Sequence, residues 1–167
     1  LGGQDGVLLK FNSNLGMLFS TYLGGSGDDA AYVLAINPTD NNIYLAGGTT
    51  SRNISGSTTG TIGEDNHGGI DGFISIFSND GNFLQSTYIG TTGTDQVYGI
   101  QFDKKGLPYI MGTSTGAFPV INAAYSNAGG KQFIAKLQPN LSAFIYSTVF
   151  GSGGAEPNIS PVAFLVD

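Results

Sequence analysis

The sequence predicts an all-β fold, a β-propeller segment made of four-stranded antiparallel blades, and three observations predict it. The first is self-similarity. Residues 2–11 (GGQDGVLLKF) return as residues 68–77 (GGIDGFISIF), with a shorter copy, QFIAKL, at 132–137. Behind each comes a second block, FSTYLG at 19–24, QSTYIG at 85–90 and YSTVFG at 146–151. A third block follows as AAYVLAIN (30–37), QVYGIQFD (96–103) and, more loosely, SPVAFLVD (160–167). A fourth reads NIYLAGGT (42–49) and PYIMGTS (108–114), without a third copy. The second observation is composition: the blocks are rich in β-branched and aromatic residues and bounded by Gly, Asn, Asp or Pro, as strands are. The third is the short Asn/Asp/Gly/Pro connections, such as residues 13–16, 79–82 and 139–141, which read as hairpin turns.

Each element then follows in order. Val7, Leu9 and Phe11 alternate with their neighbours, as do Phe73, Ser75 and Phe77, so each of these strands buries one face more than the other. The innermost strand of a blade is crowded and favours small residues, which suits the AAYVLAIN and QVYGIQFD blocks. That phasing gives a half blade (1–23, strands at about 5–11 and 17–23), two full blades (31–89 and 97–150) and the opening strand of a further blade at 161–167. A propeller closes with at least about four blades, so the expected partners are the remaining blades of a longer parent chain. A β-sandwich is the competing architecture, but it does not require the same strands to recur in the same order.

Composition excludes several classes. With 40% hydrophobic and 11% charged residues, the 167-residue chain is too apolar for intrinsic disorder. Its 27 Gly have no three-residue period, which excludes collagen. Six basic against twelve acidic residues leave a net charge of −6, which argues against a nucleic-acid partner. There is no Cys, hence no disulfide, thiol nucleophile or thiolate metal site. No apolar run approaches the roughly 20 residues of a membrane span, and the start at Leu1 suggests a chain trimmed or cut from something longer.

The DGFISIF block, the run STYLGGSGDDAAY at 20–32, and AFPV followed by AAY within 117–125 resemble the SBBP family of bacterial β-propeller repeats. The resemblance covers nearly the whole chain. It implies a propeller, typically seven-bladed, in large secreted or surface-exposed bacterial proteins, often beside adhesion modules, with no catalytic residues to carry over. The match loosens at residues 91–95 and again at 151–157.

In this phasing one face of the segment carries the loops 24–30, 90–96 and 151–160 and the long connections 50–69 and 115–130, while the other has tight turns. Long loops on a rigid scaffold are where binding usually sits. The candidate binding residues there are Asp28, Asp29, Arg52, Glu64, Asp65, His67, Asp95, Phe118 and Tyr125. Residues 51–66 are expected to be removable without unfolding the blades. Asp28, Asp29 and Asp95 are also candidate ligands for Ca²⁺, the only cofactor considered, although no D-x-[DN]-x-[DN]-G loop is present; hydrogen bonding within the turn is the ordinary use of such Asp. The GEDNHGG loop at 63–69 joins two acids to the only His, with no second imidazole for a metal set.

Nucleophilic catalysis needs a Ser or Thr beside an oriented base, which a single His in a loop does not supply. Asp29 with Asp95 is the one carboxylate pair considered for glycoside cleavage. Tyr22, Tyr32, Tyr88, Tyr98 and Tyr125 offer aromatic platforms for sugar rings, with inter-blade packing as the simpler use of Tyr22 and Tyr88. The expectation is a non-catalytic interaction or adhesion scaffold at the outer surface of a bacterial cell, binding a surface glycan or protein; a structural spacer and a carbohydrate-active enzyme are the alternatives.

Overall fold

The computed structural model describes residues 2–161 and 163–167, and among them there is no helix. Ten strands are formed: β1 (Gly6–Phe11), β2 (Met17–Leu23), β3 (Asp29–Ile36), β4 (Ile43–Thr49), β5 (Asp71–Phe77), β6 (Phe83–Ile89), β7 (Asp95–Phe102), β8 (Pro108–Ser114), β9 (Gln132–Leu137) and β10 (Phe144–Phe150). They make three antiparallel sheets in chain order, β1-β2, β3-β4-β5-β6 and β7-β8-β9-β10. The all-β class and the four-stranded meander are therefore present. The eleventh strand expected at 161–167 is not among the paired strands. An extended segment becomes a strand only when a neighbour accepts its backbone hydrogen bonds, and residues 161 and 163–167 have no such ladder. Phe164 instead lies against Gly99 of β7.

The tight turns share one device. Leu15, Asn41, Gly81, Gly106 and Leu141 all have φ between 58° and 84°, each just before the returning strand. At Gly81 and Gly106 the residue type explains the conformation; Leu15 and Leu141 adopt it with a side chain, and Leu141 is fully buried. Packing holds that residue where local preference would not.

The sheets stack face to face. Every residue of β4 and β5 is buried, because the middle sheet is covered on both sides. One core joins Leu8 and Leu23 of the first sheet to Ile43, Leu45, Phe73, Phe77 and Tyr88 of the second. The other joins Tyr44, Ala46, Ile74, Ile76 and Ile89 to Val97, Ile100, Ile110, Phe133 and Leu137 of the third. At about 1.5–3 kcal/mol for each large apolar side chain removed from water, these two interfaces are the main source of stability.

β3 and β7 carry the same irregularity. The register of β3 on β4 shifts between Ala31 and Val33, and that of β7 on β8 between Val97 and Gly99. The bulged residues are Tyr32 and Tyr98. Opposite each bulge the backbones approach so closely that a side chain at Gly47 would run into the Ala30 carbonyl, and one at Gly112 into the Gln96 carbonyl. This is why glycine recurs in the fourth block.

The long connections lie differently from the reading of the sequence. Residues 54–63 run along the free edge of β6: Ser86 N donates to Ser57 O at 2.9 Å, Tyr88 N to Gly63 O at 2.9 Å, and Ile54 N to the Tyr88 hydroxyl at 2.9 Å. Residues 119–127 do the same for β10, with Ile121 and Ser147 exchanging two backbone bonds and Asn127 N donating to Val149 O at 2.9 Å. Both connections cover an outer strand edge that would otherwise present unpaired N–H and C=O groups. The first also reaches the next sheet, where Ile62 N donates to Leu141 O at 2.9 Å. The expectation that residues 51–66 are removable is thereby corrected, since the segment contains the buried Ile54 and the partners of β6.

Two outcomes follow. Deleting residues 51–66 lowers the melting temperature and promotes aggregation, checked by calorimetry with light scattering; an unchanged melt and a monodisperse sample would refute the edge-cover role. Burial pushes the Tyr44 hydroxyl up to about 12, so the folded state keeps a proton that the unfolded chain loses near 10. Stability from this group is complete below pH 10 and is lost as pH rises towards 12, and Tyr44→Phe removes that slope from the alkaline denaturation curve.

Candidate functional site

The bulges place the two tyrosines. A bulge turns one side chain out of the strand's alternation, and here it turns Tyr32 and Tyr98 towards each other. Their rings stack with centroids 5.3 Å apart and planes 13° from parallel. Gln96 spans them: its Nε2 donates to the Tyr32 hydroxyl at 2.9 Å, while the Tyr98 hydroxyl donates to its Oε1. Burial, and then the neighbouring Tyr98, raise the Tyr32 hydroxyl above its ordinary value against the pull of Gln96.

Two open clefts flank this array in corresponding positions. One, of about 670 Å³, is lined by Thr94, Gln96, Tyr98, Thr113 and Thr115 together with the segment 156–161. The other, of about 190 Å³, is lined by Asp28, Ala30, Tyr32, Gly48 and Thr50, with Gln4 and Gln96 at its sides. Ala30, Tyr32 and Gly48 stand in β3 and β4, with Asp28 and Thr50 just outside them, where Gln96, Tyr98 and Thr113 stand in β7 and β8, with Thr94 and Thr115 just outside. The repeat thus builds one cleft twice, with hydroxyls, amides and an aromatic ring on its walls. Such walls suit a polyhydroxylated or peptide ligand.

The candidate residues scatter. Asp28 is exposed at the smaller cleft, where its Oδ1 accepts from Gln4 N at 2.9 Å. Asp29 is buried and accepts from Gly25 N at 2.8 Å, Ser51 Oγ at 2.7 Å and the Thr49 hydroxyl. Asp95, also buried, accepts from Thr91 N at 2.7 Å and Thr91 Oγ1 at 2.8 Å. Both hold the turn that enters the first strand of a four-stranded sheet. Arg52, Glu64 and Asp65 are exposed along the cover of β6, where Glu64 Oε1 accepts from Gly60 N at 2.7 Å. His67 is half exposed, with Nδ1 3.8 Å from Asp71. Tyr125 is 65% exposed and its carbonyl accepts from Thr148, on the cover of β10. Phe118 is corrected outright: it is 7% exposed and stacks on Phe133 at 3.9 Å between centroids, inside the core. Among the described residues no three of His, Asp and Glu gather as a ligand set, so Asp28, Asp29 and Asp95 do not share one ion.

Sequence reasoning passed over two features. The first is Gln96, whose role needs the two tyrosines to be brought together by separate sheets. The second is a set of polar side chains at both junctions between sheets and again where the last sheet meets residues 151–161, each beside the glycine that follows β2, β6 or β10. A side chain at Gly24 would strike Asp5 and Asp29, one at Gly90 would strike Asp71, and one at Gly151 would strike Gln132 and approach Asn158 Oδ1 at 3.0 Å. The Asp of the recurring GGxDG block was the available signal.

No protein-family model matches the chain, and no curated protein compared with it matches either. Among the described residues no helix is long and apolar enough to cross a membrane.

Packing and surface roles separate by mutation. Phe118→Ala costs roughly 3–5 kcal/mol in urea denaturation, as for other buried aromatic truncations. Tyr125→Ala stays within about 0.5 kcal/mol of the parent, as an exposed substitution should.

Proposed function

We propose that the chain is a non-catalytic interaction module, a segment of a β-propeller from a secreted or cell-surface bacterial protein, which binds a glycan or peptide at the clefts beside Tyr32, Gln96 and Tyr98. The carrying observation is the cleft built twice around a tyrosine pair that two bulges turn out of register. The propeller reading rests on the meander sheets in chain order, on β7 contacting all four strands of the preceding sheet, and on the resemblance of the repeats. The non-catalytic reading rests on the buried carboxylates serving as acceptors for backbone and hydroxyl donors, and on a lone His that lies outside both clefts. Relative to the long-loop face expected from the sequence, the binding surface shifts inward, because the long connections are occupied in covering strand edges.

Affinity electrophoresis in gels containing bacterial polysaccharides, followed by titration of the retarding glycan, tests this. Tyr98→Ala and Gln96→Ala abolish the retardation while the combined exposed variant Arg52→Ala, Glu64→Gln, Asp65→Asn, Tyr125→Ala retains it. The reverse pattern returns the binding surface to the long connections, and glycan cleavage lost in Asp29→Asn with an unchanged melt would establish the enzyme alternative.

A further inference from the structure

The two junctions between sheets, and a third where the last sheet meets residues 151–161, solve one problem in three ways. At the first, Asp29 accepts three donors and Asp5 stands beside it. At the third the carboxylates are replaced by amides: Gln132 takes the place of Asp5 and Asp71, with its Nε2 donating to Ile159 O at 3.1 Å. Asn158 there accepts from Ser152 N at 3.2 Å, as Asp29 accepts from Gly25 N and Asp95 from Thr91 N. Amides carry no charge and need no counterion.

Among the described residues the first and third junctions each leave one buried oxygen without a partner, Asp5 Oδ1 and Gln132 Oε1, and the second leaves three. Asp95 N donates to the carbonyl of Ile70, the residue before Asp71, at 2.8 Å, and the charge of Asp95 acts on the Asp71 carboxyl. Both residues are fully buried, and among the described residues Oδ1 of each has no hydrogen-bond partner. Ser114, 1% exposed and directly opposite Asp95 in the β7–β8 register, has an unpartnered Oγ as well. In the neighbouring sheet the corresponding Thr49 donates to Asp29, so the side chains of this cross-strand pair lie on one face. Carbonyl oxygens stand near Asp71 Oδ1: a side chain at Gly68 would meet Asp71 Oδ1 at 3.1 Å, the Thr91 carbonyl at 3.0 Å and the Gly93 carbonyl closer still. Burial pushes the Asp71 carboxyl above its ordinary range, and the charge of Asp95 adds to that against the pull of the His67 amide. Two buried carboxylates with only a half-exposed His nearby are an uncompensated charge, which is costly in a protein interior.

We propose that the second junction binds one calcium ion, held by Oδ1 of Asp71 and of Asp95 with the Ser114 hydroxyl and the Thr91 and Gly93 carbonyls as neutral oxygen donors. The donor set is all oxygen, which selects a hard cation over a transition metal. Two carboxylates place the affinity on the order of 10⁻⁴–10⁻³ M, the range of extracellular calcium modules. A Ser114 hydroxyl turned onto Asp95 would still leave Asp71 Oδ1 and the excess charge, so internal hydrogen bonding alone does not complete the site. The ion would lock the first residue of β7 to the first residue of β5, fastening the third sheet to the second.

Calcium titration of the chelator-treated full chain, by calorimetry and by thermal melting at pH 7, tests the site. One ion per chain and a melting temperature that rises with calcium are expected. Asp71→Gln with Asp95→Asn, which copies the amide pair of the third junction, removes both the binding and the calcium dependence of the melt. Ser114→Ala, a small change that keeps both carboxylates, weakens affinity about ten-fold or more, while Asp65→Asn leaves it unchanged. No heat and no shift at 10 mM calcium (about ten times the weakest expected dissociation constant) would overturn the proposal. So would a melt that rises on acidification from pH 7 to 5 and ignores calcium, which would show the two carboxylates sharing a proton instead.

Discussion

Burial of the middle sheet on both of its faces is the constraint on which the rest depends. β4 and β5 have no face for water, so the β3–β6 sheet is stable only while the β1–β2 hairpin lies on one side and the β7–β10 sheet on the other. A single four-stranded unit of this composition would expose Ile74, Ile76, Phe73 and Phe77 together. Stability is therefore a property of neighbours, as in other repeat architectures. The outermost faces show the converse: Val7, Leu9, Phe11 and Tyr22 on the first sheet are 47–64% exposed because nothing is stacked on them.

Stacking by apolar surface alone does not fix how neighbouring sheets are placed, since such contacts are non-directional. The polar pairs at the junctions supply direction. Asp29 N bonds Gln4 O just as Asp95 N bonds Ile70 O, so β3 and β7 are each tied by their first residue to the residue preceding Asp5 or Asp71, at the start of β1 or β5. The glycines that end β2, β6 and β10 leave the room these side chains occupy. At the third junction amides replace acids in the same geometry, so the role is positional first and electrostatic second.

Much of the fold was legible because repetition and turn chemistry are local signals. The strand blocks, the hairpin turns at 13–16, 79–82 and 139–141, and the division into four-stranded units all lie in short stretches of sequence. The site was less legible because it is assembled across sheets. Nothing near Tyr32 signals that Tyr98, 66 residues on, will stack on it, or that Gln96 will bridge the two. The long connections misled for a related reason: length and polarity suggest a projecting loop, but an uncovered strand edge nearby is a stronger demand on the same residues. Phe118 is the clearest case, an aromatic in a polar connection that the core captures through Phe133.

The same economy explains why the bulge coincides with the clefts. A regular β3 would point Tyr32 either into the sheet stack or away from its neighbour, because side chains alternate strictly along a strand. One extra residue breaks that alternation and lets a ring leave the core without disturbing Val33 onwards, whose register with β4 resumes immediately. The glycine opposite makes room for the displaced backbone, so Gly47 with Tyr32 and Gly112 with Tyr98 are one feature written in two strands. Because β3 and β7 each contain it, the tyrosines come to face each other at the junction, and the clefts beside them arise from the strands themselves without any inserted loop.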